Sequence, residues 1–358
     1  MRLGGAAIIV WATLASCSVS PSMAVIVSPS PAQTLAADLR THLDLLLGEH
    51  VMIVAKQAAA ATNHADDYAQ YASLLAANAS DLGAVFGSAF GDTAAAELVQ
   101  SWNTQNGYLV DYTIGAVTHD DVKAKAAMLT LTNEFVTTFA QRLGAASGLD
   151  VAKLEASLTA EALAEQVFID DYTGGASPKF YADLHTAYAL AAPFGDTLAR
   201  QIAQKYPDKF PGDPSHADVD RRVALNDLMQ EHAYLATMAT DAVIKSRTAE
   251  TAAAGAALAT NANTLAPLFG ASFPALWSRR TSGLLAYAKA DSGATSTLTV
   301  DFVKDFATLA HVDRSPVSRQ LMATLKVIDD QRATSSKDVA RDDRAAATAM
   351  QPIADSAT

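Results

Sequence analysis

Residues 43–54 read Leu43-Asp44-Leu45-Leu46-Leu47-Gly48-Glu49-His50-Val51-Met52-Ile53-Val54, and residues 225–235 read Leu225-Asn226-Asp227-Leu228-Met229-Gln230-Glu231-His232-Ala233-Tyr234-Leu235. In the first stretch Leu43, Leu46, Leu47, His50 and Val54 recur at three- and four-residue steps, the apolar stripe of an amphipathic helix. The second stretch replays the first without a gap and keeps the Glu-His pair. One helical signature in both halves of a chain predicts an all-α fold made by tandem duplication of a multi-helix, up-down bundle-like unit.

The surrounding sequence extends this reading. The stripe continues through Tyr71, Leu74, Leu75, Asn78, Leu82, Val85 and Phe86. Gly, Asp, Ser and Pro collect at Thr62 to Asp67, Gly87 to Thr93, Thr118 to Asp121, Gly144 to Asp150 and Thr173 to Pro178, which predicts breaks between six helical segments. Alternating strand patterns are nearly absent, and Ala, the best helix former, fills the intervals. The segment Tyr206 to Pro214, with three prolines, is the domain boundary; it predicts a first bundle unit over 35–210 and a second over 215–358. Further matches are Leu75, Asn78-Ala79, Leu82, Phe86-Gly87 and Phe90 with Leu258, Asn261-Ala262, Leu265, Phe269-Gly270 and Phe273. Glu134-Phe135-Val136 and Phe139-Ala140 match Asp301-Phe302-Val303 and Phe306-Ala307, and Ile169-Asp170-Asp171 matches Ile328-Asp329-Asp330. The second copy is shorter between its third and fifth helices.

The N-terminus has a different character. Met1-Arg2 precede an apolar run that closes in Leu14-Ala15-Ser16-Cys17, a pattern of signal-peptide length with small residues at its end. It is too short to span a bilayer, which takes about 20 residues. The ending resembles the lipobox of bacterial lipoproteins, which implies a signal peptide over 1–16, a lipidated Cys17 and a flexible tether over 17–34. Cys17 is the only cysteine in 358 residues, so no internal disulfide accounts for it. The expected location is the bacterial cell envelope, with a membrane contact through the lipid. The alternative is secretion with cleavage after Ala24.

Charged residues make up 18% and hydrophobic residues 50% of the chain, with a net charge of −12, the composition of a folded acidic protein. No cluster of Lys and Arg suited to phosphates appears, so nucleic acid is not an expected partner.

The first unit also resembles an uncharacterised bacterial family of helical-bundle proteins. Its members pair Glu with His in the first helix, continue with Asn-x-x-Asp-(Ile/Leu)-Gly and an aromatic-Gly turn, and close on Ile-x-x-Gln-(Phe/Tyr)-Pro. The corresponding stretches here are Glu49-His50, Asn78 to Gly83, Phe90-Gly91 and Ile202 to Pro207, with Asn106 where such proteins often carry another histidine. The resemblance implies the architecture and no particular activity.

The residues that could carry chemistry are few. His50 and Asn78, and their counterparts His232 and Asn261, fall on the apolar stripes of the first two helices of each unit. Each pair is expected to point into its bundle and to hydrogen-bond across the helix interface, as a structural polar pair or a ligand contact. The alternative is a metal or redox site, the one cofactor the residues leave open, using His50 with Glu49, Glu134 and His185 from facing helices. Against it, Glu49 and His50 are neighbours about 100° apart on the helix, no Glu-x-x-His occurs, and the second copy has Asp301 and Arg344 for Glu134 and His185. No phosphate-cradling Gly loop, His-Glu-x-x-His or Gly-x-Ser-x-Gly is present, so no enzyme is predicted. The expected function is a lipid-anchored binding or interaction module for a small ligand or protein partner. A structural envelope spacer is the remaining alternative.

Overall fold

In the computed structural model, which describes residues 30–291, 293–333 and 336–357, helix formation starts where the proline-rich stretch ends. Pro31–Gln33 make one 3-10 turn, and Thr34 Oγ1 then accepts from the Ala37 amide at 3.2 Å to open α1 (Leu35–Thr62). Such a cap satisfies an amide that the first helical turn leaves free. Residues 30–34 are docked on the bundle: Ala32 is buried and its carbonyl accepts from Arg222 at 2.8 Å. The expectations for residues 1–16 and for Cys17 lie outside the described residues.

Helices α2 (Tyr68–Phe90) and α3 (Asp92–Thr118) form a hairpin turned by the single residue Gly91 at φ +89°, a conformation that residues with a Cβ adopt at a cost. Helix α4 (Asp121–Thr130), capped by Asp120, runs through a π-helical segment (Leu131–Phe135) into α5 (Val136–Ser147) as one continuous rod. Helix α6 (Val151–Thr173), capped by Asp150, and α7 (Ser177–Lys205) complete the unit. The second unit follows the prolines with α8 (Ala217–Ile244), α9 (Thr248–Phe269) and α10 (Phe273–Ala288). Helix α11 (Ala294–Ser296), a π-helical segment (Thr297–Phe302) and α12 (Val303–Ala310) form its next rod, before α13 (Arg314–Arg332), α14 (Val339–Thr348) and α15 (Gln351–Ser356). The fold is all-α, with no strand among the described residues.

The duplication is visible in the packing. Each π-helical segment ends in Phe, at Phe135 and Phe302, and each Phe packs against a buried Trp. Trp102 lies 6.3 and 5.3 Å from the rings of Phe135 and Phe139, and Trp277 lies 5.7 and 4.9 Å from Phe302 and Phe306. One sequence match does not carry over as a turn. Gly87 lies inside α2, and the glycine that plays the part of Gly270 (φ +101°) is Gly91. Helix α9 ends about one turn sooner after Asn261 than α2 does after Asn78, and α10 begins correspondingly closer to Trp277 than α3 does to Trp102.

The core is continuous across the two units, and α1 and α8 lie side by side at its centre. Helix α1 packs on α2, α6 and α7 of its own unit and on α8 of the other, so nearly its whole circumference is buried. This enlarges the apolar stripe expected from the sequence: Arg40, Asp44, Glu49 and Lys56, off that stripe, are buried as well. In turn α7 packs on α9, and α14 packs on α2. Among the described residues no helix is long and apolar enough to cross a membrane.

Candidate functional site

The polar residues buried between the units are arranged around a pseudo-two-fold axis that runs along α1 and α8. Arg40, ten residues before His50, binds Asp196 of its own unit, Asp220 of the other at 2.5 Å, and the Pro214 carbonyl at 2.7 Å. Arg222, ten residues before His232, repeats this with Asp355 at 2.8 Å, Asp38 at 2.5 Å and the Ala32 carbonyl at 2.8 Å. Further along, Arg344 of α14 donates to both oxygens of Glu49, at 3.0 and 2.8 Å, and His185 of α7 stands 2.6 Å from Glu231. Each central Glu therefore meets the last part of the other unit. Lys56 reaches across to Asp343 and, at 2.9 Å, to Thr237.

At the end of this seam where the C-termini of α1 and α8 converge, both units line a half-open cavity of about 550 Å³. Helix C-termini carry partial negative charge. The lining adds Asp66, Asp67, Asp241, Glu250 and Asp330 against Lys56, Lys245 and Arg247. Of these cations, Lys56 is held by Asp343, and Arg247 by Asp241 and Glu250, both at 2.6 Å. Asp67 Oδ1 is buried and makes no hydrogen bond among the described residues. Burial, with Asp241 nearby, raises the Asp67 pKa. The cavity thus has an acidic surplus.

Deeper in each unit, the His and Asn predicted to point inward do so. Asn78 Nδ2 donates to the Leu46 carbonyl and to Glu49 Oε2, both at 2.9 Å; Asn261 Nδ2 donates to the Leu228 carbonyl and to Glu231 Oε2, both at 2.9 Å. The histidines then diverge. His232 Nδ1 lies 3.1 Å from Asn261 Oδ1, the pairing expected from sequence, with Trp277 Nε1 also aimed at Nδ1. Arg280 Nη1 stands 2.9 Å from Nε2, and Arg280 Nη2 donates to Gln320 Oε1 at 3.1 Å. The guanidinium and the indole N–H can only donate, so donors face both ring nitrogens and a second proton on the ring is disfavoured. Burial, reinforced by Arg280, pulls the His232 pKa well below its ordinary value.

In the first unit Asn78 Oδ1 does not meet His50. His50 Nε2 faces Glu165 Oε1 of α6 at 3.3 Å, without hydrogen-bond geometry. Glu161 lies one turn earlier on α6, and burial and Glu165 raise its pKa to about 8. Burial opposes the protonated form of His50, but Glu165 and Glu161 outweigh it and raise the His50 pKa. Trp102, 5.1 Å from the His50 ring, leaves Nε1 unbonded among the described residues.

The other metal candidates lie apart. Glu49 is bound to Arg344 and Tyr234, His185 is half-buried against Glu231, and Glu134 is exposed on the first π-helical segment. Among the described residues no group of three or more His, Cys, Asp or Glu side chains could hold a metal ion. Sequence reasoning missed Glu161, Glu165, Arg280 and the Arg40 and Arg222 pair. The signal for the glutamates lay in extending the Ile169-Asp170-Asp171 match backwards, which sets Glu161 and Glu165 against Gln320 and Thr324. These features define a duplicated, all-α bundle with a charged axial seam. No family model, curated protein or solved structure matches the chain.

Proposed function

We propose that this protein is a binding module of the cell envelope, held at a lipid surface through Cys17, whose ligand site is the cavity between the two units. The observation that carries this reading is the cavity itself. At about 550 Å³ it falls within the range of small-molecule pockets, and both units line it. Its two helix C-termini, its acidic surplus and the unbonded Asp67 oxygen favour a small ligand that presents a positive group, such as an amine. Lipidation of Cys17 would keep that site near a membrane, where a lone acyl chain binds reversibly and a second anchor makes attachment stable.

The test is a thermal-shift titration of the full chain with diamines, triamines, amino acids and dicarboxylates. A saturable rise in Tm is expected with an amine and not with dicarboxylates, and Asp67→Asn should weaken it about tenfold. If no compound raises Tm, or if Asp67→Asn binds as well as wild type, the cavity is not the ligand site. Attachment is tested separately by labelling with a radioactive fatty acid, expected to mark wild type and to be lost in Cys17→Ser.

A further inference from the structure

We propose that a second cavity, beside Arg344, binds a small neutral phenol at the place where the second unit lacks the ring that Tyr188 supplies in the first. This cavity, of about 330 Å³, shares no lining residue with the axial cavity, so the proposal is independent of that site. It rests on the register of the two copies. Ala192-Pro193-Phe194-Gly195-Asp196-Thr197 of α7 match Gln351-Pro352-Ile353-Ala354-Asp355-Ser356 of α15. The contacts keep the same register. Asp196 and Asp355 bind the equivalent arginines Arg40 and Arg222, and His185 and Arg344 face the equivalent Glu231 and Glu49. Three residues beyond His185 and Arg344 stand Tyr188 and Ala347.

In the first unit Tyr188 lies against Gly48 of α1 and reaches over to α8, where its hydroxyl is 2.8 Å from the Asp227 carbonyl and 3.0 Å from Gln230 Oε1. The residues equivalent to Gly48 and Asp227 are Gln230 and Leu45, each 182 positions from its counterpart as His50 is from His232. Gln230, Leu45 and Ala347 all line the second cavity. The cavity is therefore the counterpart of the space that Tyr188 fills, left open by Ala347. Because Gln230 carries a side chain where Gly48 has none, a guest ring cannot lie as close to α8 as Tyr188 lies to α1.

The chemistry of the wall selects the guest. Asn226, 1% exposed, donates through Nδ2 to the Arg222 carbonyl at 3.0 Å and to Asp355 at 2.9 Å, and its buried Oδ1 makes no hydrogen bond among the described residues. Gln230 makes one hydrogen bond there, through Oε1, which leaves Nε2 to donate. A hydroxyl answers both needs, since it donates one proton and also accepts. Arg344 is held in one orientation by Glu49 and Asp81, and a guanidinium so fixed offers its face to an aromatic ring. With two carboxylates already around that cation, a neutral guest is favoured over an anionic one. Leu45, Leu46, Ala347 and Met350 supply apolar contact, and the volume falls at the lower end of small-molecule pockets.

The test titrates the full chain, labelled with carbon-13 in its methionine methyl groups, with p-cresol, the tyrosine side chain as a free molecule. One saturable site is expected by nuclear magnetic resonance, with the Met350 methyl signal, assigned through Met350→Leu, shifting most. Toluene, which has the ring without the hydroxyl, should bind about fivefold more weakly. Ala347→Tyr should fill the cavity and weaken p-cresol at least about tenfold, and Ala347→Leu serves where the larger residue does not give a cooperative melt. No saturable shift of Met350 up to the solubility limit of p-cresol, equal affinity for toluene, or a folded Ala347 variant that binds as wild type does would overturn the proposal.

Discussion

The same residue type at the same place in two copies has been given opposite electrostatic surroundings, and stability should record this. Burial, reinforced by the neighbouring Arg280, holds the His232 pKa well below the ordinary value of about 6.5. As pH falls through about 6.5 the unfolded chain takes up a proton that the native site refuses, so stability drops on the acid side. Asp227 has the reverse effect: burial, then Asp196, raise its pKa to about 8. The native state keeps that proton while the unfolded chain loses it above about pH 4, so stability falls as pH rises towards 8, by at most about 1.4 kcal/mol per pH unit. Asp227→Asn retains the shape and removes the titration. Melting curves should therefore show the Tm of the variant gaining on wild type steadily from pH 5 to pH 8. A difference that is the same at both ends would mean that Asp227 ionises as an ordinary surface aspartate.

At the scale of the helices, small residues decide how closely the rods approach. A Cβ on Gly48 of α1 would stand 2.7 Å from Cε2 of Tyr188 on α7. Tyr188 cannot easily yield, because it is buried and its hydroxyl, with one proton to donate, lies 2.8 Å from the Asp227 carbonyl and 3.0 Å from Gln230 Oε1. Gly48→Ala gains up to about 1 kcal/mol of helix propensity, and overpacking costs about 1–3 kcal/mol. Urea unfolding should show a net loss of about 1 kcal/mol; a gain would mean that α7 shifts freely. The element scale is also where the sequence was most legible. Thr62, Thr118 and Lys205 end helices close to the expected breaks, because Gly, Asp and Pro act locally. What depended on tertiary placement was not legible. Nothing local told that the face of α1 bearing Arg40, Glu49 and Lys56 is covered by a second, equivalent helix. Equally, Glu161 and Glu165 look like solvated charges on an Ala-rich helix until α6 is laid against His50.

Taken whole, the two units meet as the subunits of an isologous dimer would, with residue i of one touching residue j of the other and the reverse. Asp38 with Arg222 and Asp220 with Arg40 are that reciprocity, and the buried cluster that runs through α1 and α8 makes the halves one core. Symmetric position implies symmetric cost. Each guanidinium is nearly buried, while its partner carboxylates are partly exposed, so truncation strands a carbonyl and weakens charged hydrogen bonds without leaving a fully buried charge. Arg40→Ala and Arg222→Ala should each lower stability by about 2 kcal/mol. Denaturant unfolding should give values for the two within a factor of two of each other, and one cooperative transition for wild type and both variants. The shared core sets the second expectation: units with separate cores would melt apart once a seam arginine is lost. Two resolved transitions in wild type would break the single-core description, and a loss confined to one arginine would break the symmetry.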